Sequence, residues 1–250
     1  MALNNMKTAT ITFHAPNNNG SFLQAYALQK YLTTHFDNIE NDIIDFQPEA
    51  QQQQYAVFRK IHSKKDILRN LISVQHYKAI SKRSASFSEM RKKHLKMTQR
   101  CTSTEEVLEI AGKYDLVIAG SDQIWNTTAR DFSEAFFLPG ISKKATYAVS
   151  CGSHLNEVDC DRICSAMETF ENVSVREIDT REFLEKHTKR SIETVLDPTF
   201  LLTKEDYSGL YDKERILKEK YIFLYTINYD EDALKQTVRV AERMGGGAKL

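Results

Sequence analysis

Short apolar runs alternate with stretches of helical periodicity along nearly the whole chain, and this alternation limits the fold more than any other feature of the sequence. Thr8–Phe13, Ile43–Phe46, Asp115–Ala119, Thr146–Val149, Asn172–Val175 and Glu193–Leu196 read as strands; the third ends in an unbroken apolar run of the kind buried on both faces of a parallel sheet. Ser21–Tyr31, Glu105–Ala111, Asn156–Phe170 and Thr180–His187 carry helical spacing, with Ser103 or Thr104 capping the second. The βαβ order predicts an α/β fold, a mainly parallel sheet wrapped by helices on both faces, and such sheets take ligands at the carboxyl ends of their strands. After a charged connector, Asp212–Lys220, a strand over Tyr221–Ile227 and a helix over Asp230–Met244, stopped by Gly245, are expected to open a second α/β lobe. One strand and one helix cannot close a core, so that lobe is expected to be truncated. The expected division is residues 1–211 as the first lobe and 212–250 as connector and incomplete second lobe.

Charge is distributed unevenly. The 250 residues carry 34 Lys+Arg against 34 Asp+Glu. Yet Arg59 to Arg100 holds 13 basic residues against only Asp66 and Glu89, a local charge of +11 that the remaining residues balance. Within this insertion, about residues 55–100, the apolar positions Ile61, Leu68, Leu71, Ile72, Ile80, Phe87 and Met90 suggest two short amphipathic helices forming a cover. Its basic face is either a solvated surface or an attractor for a phosphorylated or lipid-pyrophosphate-linked substrate. Nucleic acid ranks behind both, because no aromatics interleave the charges. The composition, 41% hydrophobic and 27% charged, excludes disorder as the main state. The N-terminal residues lack the apolar core of a secretory signal and no window is long enough to span a bilayer, so the expected compartment is the cytoplasm. Cys101, Cys151, Cys160 and Cys164 are too few and too irregular for a disulfide scaffold, and lack the paired spacing of a structural zinc site; free thiols and no metal are expected.

Polar residues collect where strands meet helices. The first junction, His14 to Ser21, is rich in small turn residues, and Asn19, Gly20 and Ser21 at the helix start could cradle an anion, with Gln24 one turn further on. The second, Gly120-Ser121-Asp122-Gln123-Ile124-Trp125-Asn126, places a carboxylate, an amide and the chain's single Trp directly after the apolar strand; it reads either as substrate contacts or as a capped turn with Trp125 filling a gap. Ser150 to His154 follows another strand, which makes His154 a candidate acid or base. Arg176, ending the strand at Val175, suits a carboxylate or phosphate, or else an internal pair with Glu177 or Asp179. Leu196-Asp197-Pro198-Thr199 looks structural, because Pro fixes the strand exit.

Together these junctions resemble the polysaccharide pyruvyl transferase family. The matching residues are Asn19 to Gln29, Gly120 to Asn126, Phe136-Phe137-Leu138, Lys144 to Ser150, Ser174-Val175-Arg176-Glu177 and Val195 to Thr199. The resemblance implies two Rossmann-like lobes facing across a cleft in a GT-B-like architecture. It also implies transfer of pyruvate from phosphoenolpyruvate to two sugar hydroxyls as a ketal, in cell-surface polysaccharide synthesis, with no cofactor. Arg176 matches the family's donor-binding Arg, and Asp122 its Gly-Ser-Asp motif, where it could orient or deprotonate a hydroxyl. The implied partners are phosphoenolpyruvate and a glycan or lipid-linked saccharide; if the basic insertion meets a lipid-linked acceptor, peripheral, salt-sensitive contact at the inner face of the membrane is expected. The expected substrate-binding set is therefore Arg176, Asn19, Gly20, Ser21, Gln24, Gly120, Ser121, Gln123 and Trp125, with Asp122 and His154 catalytic. The family's Arg and His pair for the donor belongs to the second lobe. No His follows His187, so these residues alone are not expected to run the full reaction. A GT-B-type glycosyltransferase and a non-catalytic glycan-binding remnant are the other readings.

Overall fold

The computed structural model describes residues 5–152, 157–211, 221–226 and 230–245. Strands β1 (Met6–Ile11), β2 (Ile39–Ile43), β3 (Leu116–Ala119) and β4 (Lys144–Thr146) form a parallel sheet in the order β2-β1-β3-β4. Helix α1 (Asn19–His35) makes the β1–β2 crossover. Between β2 and β3 lie α2 (Glu49–Tyr55), α3 (Lys64–Gln75), α4 (Tyr77–His94) and α5 (Thr104–Ala111). Further along come α6 (Glu157–Met167), β5 (Ser174–Val175), α7 (Ile178–Leu184) and β6 (Glu193–Thr194). The chain leaves β1 in opposite directions to reach β2 and β3, so the switch point of the sheet is at the carboxyl ends of β1 and β3.

Local chemistry explains most boundaries. Asn18 caps α1 by accepting the Gly20 N–H at 2.8 Å. A capping box between Ser103 and Glu106 starts α5, which selects Ser103 from the two expected caps. In the run Leu116–Ala119, Val117 to Ala119 are buried as expected and Leu116 is half-buried. The strand expected over Thr146–Val149 lies earlier, as β4 over Lys144–Thr146, and stops at Thr146 because Ala148 takes a positive φ of 52°. Ser174 fills the break: its Oγ accepts the Ala148 N–H at 3.1 Å and donates to the Thr146 carbonyl at 3.0 Å. The ladder then resumes at Val149, which bridges Asp122 on one side and Val175 on the other, joining the β5-β6 pair to the rest.

Packing against the sheet is aromatic. Trp125 is fully buried, with its ring 5.6 Å from Phe137 and 5.5 Å from Phe170. Gln29, inside α1, stitches layers together by donating to the carbonyls of Asn41 and Lys96, both at 2.9 Å, and accepting the Lys96 N–H. At the carboxyl ends of β1 and β2, the buried His14 ring meets Asp45: Nε2 is 2.9 Å from Oδ1 and Nδ1 is 3.2 Å from the Thr12 carbonyl. Burial would raise the Asp45 pKa, but hydrogen bonds from His14 and Gln47 and the charges of His14 and Arg100 outweigh it and hold the carboxyl at about 2. A carboxyl depressed from 3.8 to about 2 contributes stability that is fully present above its unfolded value and disappears as pH falls through the folded one, about 2 kcal/mol in all. Urea titrations from pH 5 to pH 2 should therefore show wild type losing about 2 kcal/mol more than Asp45→Asn; parallel losses would contradict this assignment.

Several sequence expectations need correction. The strand expected over Ile43–Phe46 lies earlier, as β2 over Ile39–Ile43. The two expected helices of the insertion form as α3 and α4, but the apolar residues Leu68, Leu71 and Ile72 of α3 are exposed, because α3 turns Asn70 and Ser73 toward the protein. Tyr221–Thr226 is not a strand: no ladder partner pairs with it among the described residues, and its side chains are exposed. A strand needs a neighbour to satisfy its backbone. The chain divides into two compact units, Met1–Leu202 and Thr203–Leu250, a boundary ahead of the charged connector. In the second unit α8 (Glu231–Arg243) forms as expected, capped by Asp230, which accepts the N–H groups of Asp232 and Ala233.

Candidate functional site

The switch point brings the first two polar junctions together. Ser21, in the first turn of α1, donates from Oγ to Asp122 Oδ2 at 2.8 Å, and the Gln123 N–H donates to Oδ1 at 2.8 Å. Asp122 sits at φ 78°, a left-handed conformation that Asp and Asn tolerate better than other side-chain-bearing residues. The turn aims its carboxylate back at α1. Gly120 makes this approach possible: a Cβ there would lie 2.8 Å from Thr10 Cγ2 and 3.3 Å from Thr12 Cβ. Thr12 completes the seam by donating to the Ser121 carbonyl at 2.5 Å. Part of the negative charge that the start of α1 attracts is therefore the protein's own Asp122.

Burial raises the Asp122 pKa, with the nearby Asp197 adding to the rise, while Ser21, the Gln123 N–H and the charge of Arg176 oppose it; the net direction is upward. A carboxylate with a raised pKa and an exposed edge is a stronger base than an ordinary surface Asp.

Arg176 is held between two carboxylates. Its Nε donates to Glu177 Oε1 and a terminal nitrogen donates to Asp197 Oδ2, each at 3.0 Å. Burial would lower its pKa, but Glu177 and Asp197 more than compensate and raise it. The internal pair with Glu177 is thus present, Asp197 is a second partner, and these two contacts use only part of the five-donor guanidinium, whose side chain remains 29% exposed. Its charge also reaches Asp122. Asp197, read from sequence as structural, both caps the turn at Thr199, accepting its N–H at 2.9 Å, and accepts from Ser121 Oγ at 3.3 Å and Arg176. No local pattern signalled that second role, because Asp197 and Arg176 meet only through the β5-β6 pairing.

The other expected residues divide into two groups. Asn19, Gly20 and Gln123 are exposed beside the Ser21–Asp122 bond. Gln24, Ser121 and Trp125 are buried. Gln24 spends its amide on the carbonyls of Phe13 and Ser21 and on Thr12 Oγ1, and Trp125 donates weakly to the Phe136 carbonyl at 3.4 Å, so both hold the loops from behind. Gly120 acts through its missing side chain. His154 lies outside the described residues. Tyr55, at the end of α2, was not anticipated: burial first, then the charges of Asp131 and Asp122, push its phenol pKa up, which places it near the same carboxylate. An aromatic closing a Gln-rich tract was the only hint in the sequence. The four cysteines are buried and none is in a disulfide. No group of three or more His, Cys, Asp or Glu among the described residues is arranged to hold a metal ion.

Chemically, this cluster sets three carboxylates, Asp122, Glu177 and Asp197, against one guanidinium. Such a balance favours neutral groups that donate hydrogen bonds, such as hydroxyls, over a free polyanion. A family model described as polysaccharide pyruvyl transferase matches residues 18–249. Neither the curated proteins nor the solved structures yield a match.

Proposed function

This chain belongs to the polysaccharide pyruvyl transferase family, and from that premise we propose that it takes part in moving pyruvate from phosphoenolpyruvate onto two hydroxyls of a glycan or lipid-linked saccharide during cell-surface polysaccharide synthesis in the cytoplasm. In that reaction one sugar hydroxyl adds to the enol carbon while the methylene gains a proton. The second hydroxyl then displaces phosphate, leaving a ketal with a methyl and a carboxylate.

The site described above serves the acceptor side. What supports this is the Ser21–Asp122 bond at the switch point, which fixes a carboxylate of raised basicity where a ligand at the strand ends would lie. Asp122 takes the proton of the attacking hydroxyl, and Ser21 orients it. Glu177 and Asp197 accept further hydroxyl hydrogens, and Arg176 holds those acids in place. The donor, a compact trianion, is poorly matched to this acid-rich cluster, so its main anion-binding groups lie elsewhere in a GT-B-like arrangement of two lobes. This revises the role expected for Arg176, from donor clamp to organiser of the acceptor face. Because the basic form of Asp122 does the work, transfer should fall as pH drops through its raised pKa.

The test supplies phosphoenolpyruvate or a nucleotide sugar together with surface oligosaccharides of the source organism. The expected products are inorganic phosphate and a saccharide bearing a ketal methyl singlet in the proton NMR spectrum. Glycosyl transfer from the nucleotide sugar instead would replace this reading with a glycosyltransferase.

A further inference from the structure

Helix α3 is amphipathic in the reverse sense for a globular protein. Its polar edge faces inward: Asn70 exchanges two 2.9 Å hydrogen bonds with the backbone of Arg59, and Ser73 is buried. Its apolar residues face outward. Ile67, Leu68, Leu71, Ile72 and Val74 are 46–61% exposed, and on a 3.6-residue helix they share one broad stripe. Exposed Lys64 and Lys65 begin the helix, and exposed Lys78 and Lys82 follow in the first turns of α4, inside the segment that carries +11. A contiguous exposed apolar stripe of this kind calls for an occupant.

We propose that α3 docks this face onto an anionic lipid bilayer, lying in the interface with its apolar stripe among the acyl-chain ends and its lysines against the headgroups. The charge decides between occupants. A two-fold contact with a second copy would set one strongly basic segment against another, whereas a negatively charged bilayer is complementary to it. Apolar insertion and electrostatic attraction act together in such interfacial helices, and neither alone gives firm attachment. No described helix is long and apolar enough to cross a membrane, so the contact is peripheral. This surface stands on α3 and its charges alone and does not depend on the transferase reading.

Flotation or co-sedimentation with vesicles of phosphatidylcholine, with and without 30% phosphatidylglycerol, tests it. The chain should bind the anionic vesicles at least tenfold more tightly than the neutral ones and lose that binding as salt rises. The double variant Leu68→Glu/Leu71→Glu, whose side chains are solvent-facing, should keep the wild-type circular dichroism and melting temperature yet bind at least tenfold more weakly; Lys64→Glu/Lys65→Glu should do the same. Absent vesicle binding, binding indifferent to both variants, or a dimer in sedimentation that the Leu68/Leu71 variant dissolves would each overturn the proposal, the last in favour of a second copy.

Discussion

Asp122→Asn, introduced at the chromosomal locus, is expected to lower the ketal pyruvate of the surface polysaccharide by about 10²-fold or more while protein abundance stays within twofold of wild type. The size follows from removing a general base, which typically costs about 10²–10⁴ in rate. Asparagine is the informative replacement. It tolerates the left-handed conformation at φ 78° and its carbonyl can still accept one of the two hydrogen bonds from Ser21 and the Gln123 N–H. The backbone turn is then preserved and only the ionisable oxygen is lost, whereas Ala would add conformational strain and blur the result. Ketal content near wild type would show that the carboxylate does not act on the acceptor. A fall in ketal content explained by lost protein would point to a structural role instead.

A second large effect should come from Lys144, on β4. Its side chain is 1% exposed, donates from Nζ to the carbonyls of Phe137 at 2.9 Å and Leu138 at 2.6 Å, and lies 4.6 Å from the centre of the Phe170 ring. These carbonyls end the turn at Glu134–Phe137, where Leu138 adopts a positive φ of 49° and is itself buried. Lys144→Met keeps the aliphatic stem but leaves the Phe137 carbonyl without this donor, while Leu138 keeps its bond from the Ile141 N–H. An abandoned buried acceptor and a lost charge-assisted bond outweigh the relief from burying an ammonium, for a net loss of about 2–3 kcal/mol. At roughly 2–4 °C per kcal/mol for a chain of this size, the melting temperature should drop by roughly 4–12 °C. Burial also lowers the Lys144 pKa to about 8 from 10.5. The unfolded chain therefore binds more protons between those values, and wild type should gain stability relative to the Met variant as pH rises from about 8 toward 10.5. A melting temperature within about 2 °C of wild type would show that the turn holds without this lysine.

What could be read from the residues was local. The apolar run at Leu116–Ala119 marked a strand, Ser103 or Thr104 marked a helix start, and the alternation of strand and helix signals pointed to a parallel α/β sheet with its polar loops at one edge. These follow from side-chain period and from capping chemistry within three or four residues, so no distant partner is needed. The grouping of Ser21 with Asp122 was legible only in outline, since both follow strands whose carboxyl ends share one side of a parallel sheet. The tertiary structure decided the rest. It gave Arg176 to Asp197 as well as Glu177, buried Trp125 and Gln24 behind the loops, used Ser174 to bridge the break at Ala148, and left the apolar face of α3 outside. Helical periodicity shows that α3 has an apolar stripe, but which side meets the protein depends on what Asn70 and Ser73 find there. A hydrogen bond or ion pair between remote segments forms only after several elements have packed, and its partners carry no mark of one another in the sequence.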